Sequence, residues 1–311
     1  MPIDQIATGI VPGIRKGTII PENKEFAGEI ISSLSQLKYA GQAGSEVRFN
    51  PAAPIKIDYN AYRSVKNYNP RIRFLIMYYT AQNFADSVTS LTGNSVSAHY
   101  LLPDPTDKTY LAAGFNDMCI FNLVDEKERA WHAGVSNWAG RSNINDTSFG
   151  IEIVNQAMED GQGNLTFPPF NQQQIEAVRQ LSLNIIQRYP DISPNNIVGH
   201  SDIAHGRKND PGAAFPWQQL SEVGIGAWYE ETTKTNYQEQ FTVQMPAESK
   251  IIDKFSTYGY DVSVAGSDEG KKSLFQAFQL HFRQSDYAGE MDAETAAIIY
   301  ALVDKYISKS H

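Results

Sequence analysis

Phe74-Leu-Ile-Met-Tyr-Tyr79 carries no charge, no glycine and no proline. An unbroken apolar run of that length has the pattern of a buried central strand. Ser148-Phe-Gly-Ile-Glu-Ile-Val154 is a second strand pattern, and Asn196-Ile-Val-Gly199 a third. Between the second and third runs a long helical pattern. Asn171 stands as N-cap with Gln174 three residues on, a capping-box arrangement. Ile175, Val178, Leu181, Ile185 and Tyr189 recur at helical spacing, and Pro190 closes the element. Strands interleaved with helices give an α/β fold, whose chemistry usually sits at strand ends.

On either side the pattern changes. Residues 1–50 read as an N-terminal extension of mixed polarity with one short helical pattern, Glu25 to Leu37. Residues 230–245 are polar and read as a linker. Residues 246–311 read as a small all-helical domain. Ile251, Ile252, Phe255 and Tyr258 form one stripe in it; Leu274, Phe275, Phe278 and Phe282 form another. Asp292 caps a third helix carrying Ile298, Ile299, Leu302 and Tyr306.

The 311 residues are 41% hydrophobic and 20% charged, ordinary for a globular protein, with a formal net charge of −9. There is no long basic run, which argues against nucleic acid as the partner. One cysteine, Cys119, excludes an internal disulfide and a cysteine-rich metal cluster. No apolar run approaches bilayer-spanning length, so no transmembrane segment is expected. The opening residues have no basic stretch followed by a long apolar one, so they do not read as a signal peptide.

The stretch Val198-Gly-His-Ser-Asp-Ile-Ala-His-Gly-Arg-Lys-Asn-Asp-Pro-Gly212 carries the chemistry. His200 and Asp210 offer an imidazole nitrogen and a carboxylate oxygen, both ligands of Zn2+. Two are too few for a catalytic site, so a third must come from elsewhere. Glu152 is a carboxylate among Ile and Val; facing the core it would be costly without a partner.

These segments resemble the amidase-2 family of zinc N-acetylmuramoyl-L-alanine amidases, most closely the periplasmic branch that recycles or trims peptidoglycan. The resemblance rests on Tyr78-Tyr-Thr-Ala81, Val96 through Leu102, Ala130-Trp-His-Ala-Gly134, Asn145 through Asn155 and Val198 through Gly212, in the family's order. The tail, with Phe275 through Phe282 and Gly289 through Thr295, resembles the helical peptidoglycan-binding domain attached to such enzymes. The resemblance implies a central mixed β-sheet flanked by helices over residues 51–229. It also implies Zn2+ as cofactor, peptidoglycan or muropeptides as partner, and a periplasmic, cell-envelope or secreted location. The implied reaction is zinc-dependent hydrolysis of the amide between N-acetylmuramic acid and L-alanine.

Carried over by motif, the metal ligands are His200, Asp210 and the position of Tyr78. Glu152 becomes the general base and Lys208 the stabiliser of the oxyanion. His132 and Asn145 become candidate substrate-binding residues. The plainer readings are a turn residue for Asp210, a strand end for His200, a solvated charge for Lys208 and a structural ring for His132. His99 and His281 read as structural, and Trp131 and Trp138 as packing.

Tyr78 departs from the family, which writes His-Tyr-Thr-Ala where this chain writes Tyr-Tyr-Thr-Ala. Successive strand side chains point oppositely, so the metal side belongs to Tyr78 and not Tyr79. Tyrosine is not among the usual ligands of zinc. Three readings are open: an unusual ligand in a working enzyme, a substitution that weakens the site and leaves a scaffold binding cell-wall glycopeptide, or replacement by another group such as His205.

Overall fold

The structure, a computed structural model, describes Tyr62 and residues 69–308. The expected extension over 1–50, with its helical pattern from Glu25 to Leu37, lies outside the described residues.

In chain order the regular elements are β1 (Phe74–Tyr79), α1 (Phe84–Leu91), β2 (Tyr100–Leu102), α2 (Lys108–Ala112), β3 (Phe121–Asn122), β4 (Asn137–Trp138), β5 (Arg141–Ser142) and β6 (Ser148–Ile153). They continue as β7 (Met158–Glu159), β8 (Leu165–Thr166), α3 (Gln172–Arg188), β9 (Ile197–Gly199), α4 (His200–Ile203) and α5 (Trp217–Ser221). The chain ends in four longer helices, α6 (Glu231–Val243), α7 (Glu248–Tyr258), α8 (Asp268–Phe282) and α9 (Ala293–Tyr306).

β1 lies inside a five-stranded sheet of order β3-β2-β6-β1-β9. It pairs in parallel with β6 and with β9, and β2 pairs in parallel with β6. Only the edge strand β3 is antiparallel, so the sheet is mixed, as expected. The apolar run of β1 is continuous because both of its faces are covered. Leu75 and Met77 pack with Val178, Leu181 and Ile185 of α3. Phe74, Ile76 and Tyr78 turn the other way, into a core shared with Phe255, Phe278, Ile298 and Leu302 of the C-terminal helices. The capping box that starts α3 is present, with Asn171 and Gln174 bonded reciprocally.

That second core corrects the expected domain layout. The helical region does not stand apart but forms the layer over one face of the sheet. Residues 230–245 are not a linker either, since Glu231–Val243 is helix α6. Its anchors are sparse and largely polar, which hid it from a reading of apolar periodicity. Phe241 is buried, Tyr237 donates to Asp304 at 2.6 Å, and Lys234 pairs with Glu231 and Glu294. The stripes expected for α7, α8 and α9 are buried except for Ile252 and Tyr306, which are half-buried against the same core, and Asp292 caps α9 by accepting from the Thr295 amide at 2.8 Å.

Candidate active site

The register of β1 on β6 sets Tyr78 beside Glu152. Parallel neighbours in register share a face, so both side chains point to the same side. β9 ends at Gly199, opposite Met77, and His200 follows as the first residue of α4. The carboxyl ends of three adjacent strands thus converge, where α/β sheets usually place their ligands.

Asp210 reaches the same point because the loop after His200 folds back. Its carbonyl accepts from the Ser201 amide at 2.9 Å. The approach is so close that a Cβ on Gly199 would sit 2.6 Å from Pro211 Cδ, so only glycine fits there. His200 Nδ1 then lies 3.0 Å from Asp210 Oδ2. His200 Nε2 lies 3.2 Å from the Ala133 carbonyl and 3.4 Å from Arg207 Nη2. A proton or a cation between Nδ1 and the carboxylate oxygen satisfies both.

Above this pair opens a cavity of about 520 Å³ lined by Tyr78, His132, Glu152, His200, Lys208 and Asp210, among others. Glu152 Oε2 is buried and has no hydrogen-bond partner among the described residues. Burial, then the Asp210 carboxylate, push the Glu152 carboxyl well above the usual carboxylate range, while Lys208 pulls it back.

Tyr78 is 1% exposed, with its ring edge against His200 at 4.6 Å between centroids. Burial raises its phenol well above the ordinary tyrosine range, and Asp210 and Glu152 raise it further, against Arg207. Its hydroxyl donates to His132 Nδ1 across 2.6 Å. Ser148 Oγ gives its proton to the Ile144 carbonyl at 2.6 Å and faces His132 Nε2 at 3.5 Å as an acceptor, which leaves Nδ1 to accept from Tyr78; burial holds the imidazole well below the usual histidine range, with His99, His200 and Arg129 acting the same way. The donors present therefore fit a metal held by His200 and Asp210 and do not fit a three-donor catalytic zinc site. Among the described residues no group of three His, Cys, Asp or Glu side chains is arranged to hold a metal ion.

Not every residue expected here is at the cavity. Asn145, expected to bind substrate, is buried behind His132, its Oδ1 accepting from the amides of His132 (3.1 Å) and Ala133 (2.8 Å). His205 bonds the Asp261 carbonyl at 2.8 Å and supplies no replacement ligand. His99 accepts from the Gly150 amide at 3.1 Å and is structural, as is the buried His281. Trp138 packs in the core, but Trp131 is 54% exposed and is not packing. Tyr79 lines the cavity too, although it points to the opposite face, because β1 ends there. One residue escaped the sequence reading. Arg207 Nη2 donates at 2.8 Å to the carbonyls of Ala133 and Val135 and so holds the loop carrying His132. Its position beside Lys208 is the only signal the sequence offered.

Known proteins resemble this chain in sequence and in fold. Residues 68–213 match the family model described as N-acetylmuramoyl-L-alanine amidase. The chain is 42% identical over 239 residues to the N-acetylmuramoyl-L-alanine amidase AmiD of Escherichia coli strain K12, covering 76% of this chain and 84% of AmiD. It therefore belongs to the N-acetylmuramoyl-L-alanine amidase family. Among solved structures, AmpDh3 from Pseudomonas aeruginosa superimposes with a TM-score of 0.78 at 53% identity, covering 81% of this chain and 99% of that one. AmpDh3 has also been solved in complex with an anhydromuramic pentapeptide. E. coli AmiD, in complex with the substrate anhydro-N-acetylmuramic acid-L-Ala-D-γ-Glu-L-Lys, matches with a TM-score of 0.71 at 40% identity, over 80% of this chain and 97% of AmiD.

Proposed function

We propose that the protein hydrolyses the amide between the lactyl group of N-acetylmuramic acid and the L-alanine of the stem peptide. The observation that carries this is Glu152: a partly buried carboxylate with a free oxygen, in one cavity with His200, Asp210 and Lys208. A carboxyl raised toward neutrality is suited to take a proton from an attacking water and return it to the leaving nitrogen. Water adds to the carbonyl carbon, the C–N bond breaks, and the proton held at Glu152 leaves with the amine. Lys208 supplies positive charge where the oxyanion develops, an effect worth about 3 kcal/mol when preorganised. Zn2+ is the cation the family implies, and His200 and Asp210 would hold it; bound there, it polarises the carbonyl and acidifies water.

The complexes of AmiD and AmpDh3 with anhydromuramyl peptides support muropeptides, anhydro forms included, as the substrate class of this chain. His132, at the cavity wall, would contact them. The C-terminal helices would grip the polymer, with a second cavity near Gln276, Asp286 and Tyr287 available to it. A substrate of this kind supports a periplasmic, cell-envelope or secreted location. Among the described residues no helix is long and apolar enough to cross a membrane.

The test is digestion of anhydromuramyl tetrapeptide with the full chain in zinc-containing buffer, followed by mass spectrometry. Free tetrapeptide starting at L-alanine is the expected product. Intact substrate after prolonged incubation, with retention of the protein on peptidoglycan, would replace hydrolysis by binding alone.

A further inference from the structure

The family's metal position next to His200 and Asp210 falls on Tyr78, and the structure shows what Tyr78 does there. Its hydroxyl proton is committed to His132 Nδ1. That acceptor cannot retreat. A Cβ on Gly150 would meet the His132 ring at 2.6 Å, so the ring already lies flat against β6. On the other side, Asn145 holds the backbone amides of His132 and Ala133. Turning the phenol toward a metal would break this bond and leave a buried imidazole nitrogen without a donor.

Among the described residues no neighbour replaces the missing ligand. His205 is bonded to Asp261, and His99 uses both ring nitrogens, on the Gly150 amide and the Glu128 carbonyl. Glu152 does not complete a trio with His200 and Asp210.

We infer that in this chain the third metal position is closed by the Tyr78–His132 hydrogen bond, so that a divalent cation at His200 and Asp210 has two protein donors and exchanges freely with solvent. This rests on the amidase reading only for the location of the metal. If it holds, the protein works only while the surrounding solution supplies the cation, unlike a site with three donors that keeps its metal.

The test measures metal rather than turnover. The full chain is loaded with Zn2+, desalted, and its metal counted against protein. Affinity is then read by competition with a chromophoric chelator. The wild type should emerge nearly metal-free. Tyr78→His should retain one zinc per chain and bind at least about 100-fold tighter, more than the loss typical of an outer-sphere change. Tyr78→Phe should match the wild type, since the phenol oxygen is no ligand. A wild type that keeps one zinc per chain overturns the inference. So does a Tyr78→Phe chain that binds tenfold or more weakly than wild type, and this comparison decides the matter even if Tyr78→His fails to fold. A Tyr78→His chain that holds zinc yet leaves muropeptides intact would count against hydrolysis and leave the inference standing.

Discussion

His281 Nδ1 meets Asp202 Oδ2 at 2.7 Å, with both side chains buried. His281 belongs to α8, and Asp202 lies two residues beyond His200. The same carboxylate accepts the Gly199 amide at 2.7 Å and the Tyr260 hydroxyl at 2.5 Å. The imidazole is stacked against Trp217 at 3.9 Å and Phe282 at 3.8 Å. The helical layer thereby grips the turn that presents His200, and the two regions share one polar cluster as well as one apolar core.

Removing the carboxylate should be costly. Asp202→Ala leaves the Gly199 amide, the Tyr260 hydroxyl and His281 without their acceptor in a buried site. A loss of roughly 3 kcal/mol or more is expected. Calorimetry should show a single unfolding transition in the wild type and a lower single transition in the variant. Two separate transitions in the wild type would show that the helical layer folds independently of the sheet.

Glu152 should trade stability for function. Its carboxyl is raised by burial and by Asp210, so the folded state disfavours its charged form. Below the unfolded value of about 4.3 both states hold the proton and nothing is lost. Above it the unfolded chain ionises readily while the folded chain does not, so stability falls as pH rises toward the folded value. Glu152→Gln does not titrate. The variant should therefore melt above the wild type at pH 8, with the gap closing toward pH 4, while hydrolysis drops by about 10²-fold or more. An equal gap at both pH values would mean that the carboxyl is not perturbed.

Much of this site was legible because it depends on local signals. β1 shows as a run without charges, α3 as a capping box followed by a stripe, and the His200–Asp210 pair as a short loop with both donors in it. What stayed hidden depends on contacts between distant segments. Asn145 is a buried cap on another loop, Arg207 a brace 74 residues from the Ala133 carbonyl it holds, and α6 a helix anchored by polar pairs. The alternation along β1, Leu75 and Met77 one way and Phe74, Ile76 and Tyr78 the other, already implied two cores. Only the fold reveals that the second is filled by the C-terminal helices.

Lys208 should act on rate more than on binding. It lines the cavity and its charge reaches Glu152, opposing the burial of that carboxyl. Lys208→Met keeps much of the side-chain volume and removes the charge. On the proposed reaction kcat should fall by about 10²- to 10³-fold, the usual loss of one oxyanion donor, with KM for muropeptide changed little. A rise in KM with kcat preserved would make Lys208 a substrate anchor instead.

Gly150 is held at its size by His132. It lies within β6 and has no positive φ, so alanine would suit its backbone. The obstacle is steric: a Cβ there would stand 2.6 Å from His132 Cγ and 2.8 Å from Nδ1. The ring can yield only by leaving the Tyr78 hydroxyl it accepts, because Asn145 fixes the backbone behind it. Gly150→Ala should therefore cost about 1–3 kcal/mol by overpacking, in spite of alanine's better fit to a strand. The ¹⁵N shift of His132 Nδ1 should also move toward that of a nitrogen without a donor. Unchanged stability together with an unchanged shift would show that the ring has room to move, and that Tyr78 is held less firmly than the 2.6 Å bond indicates.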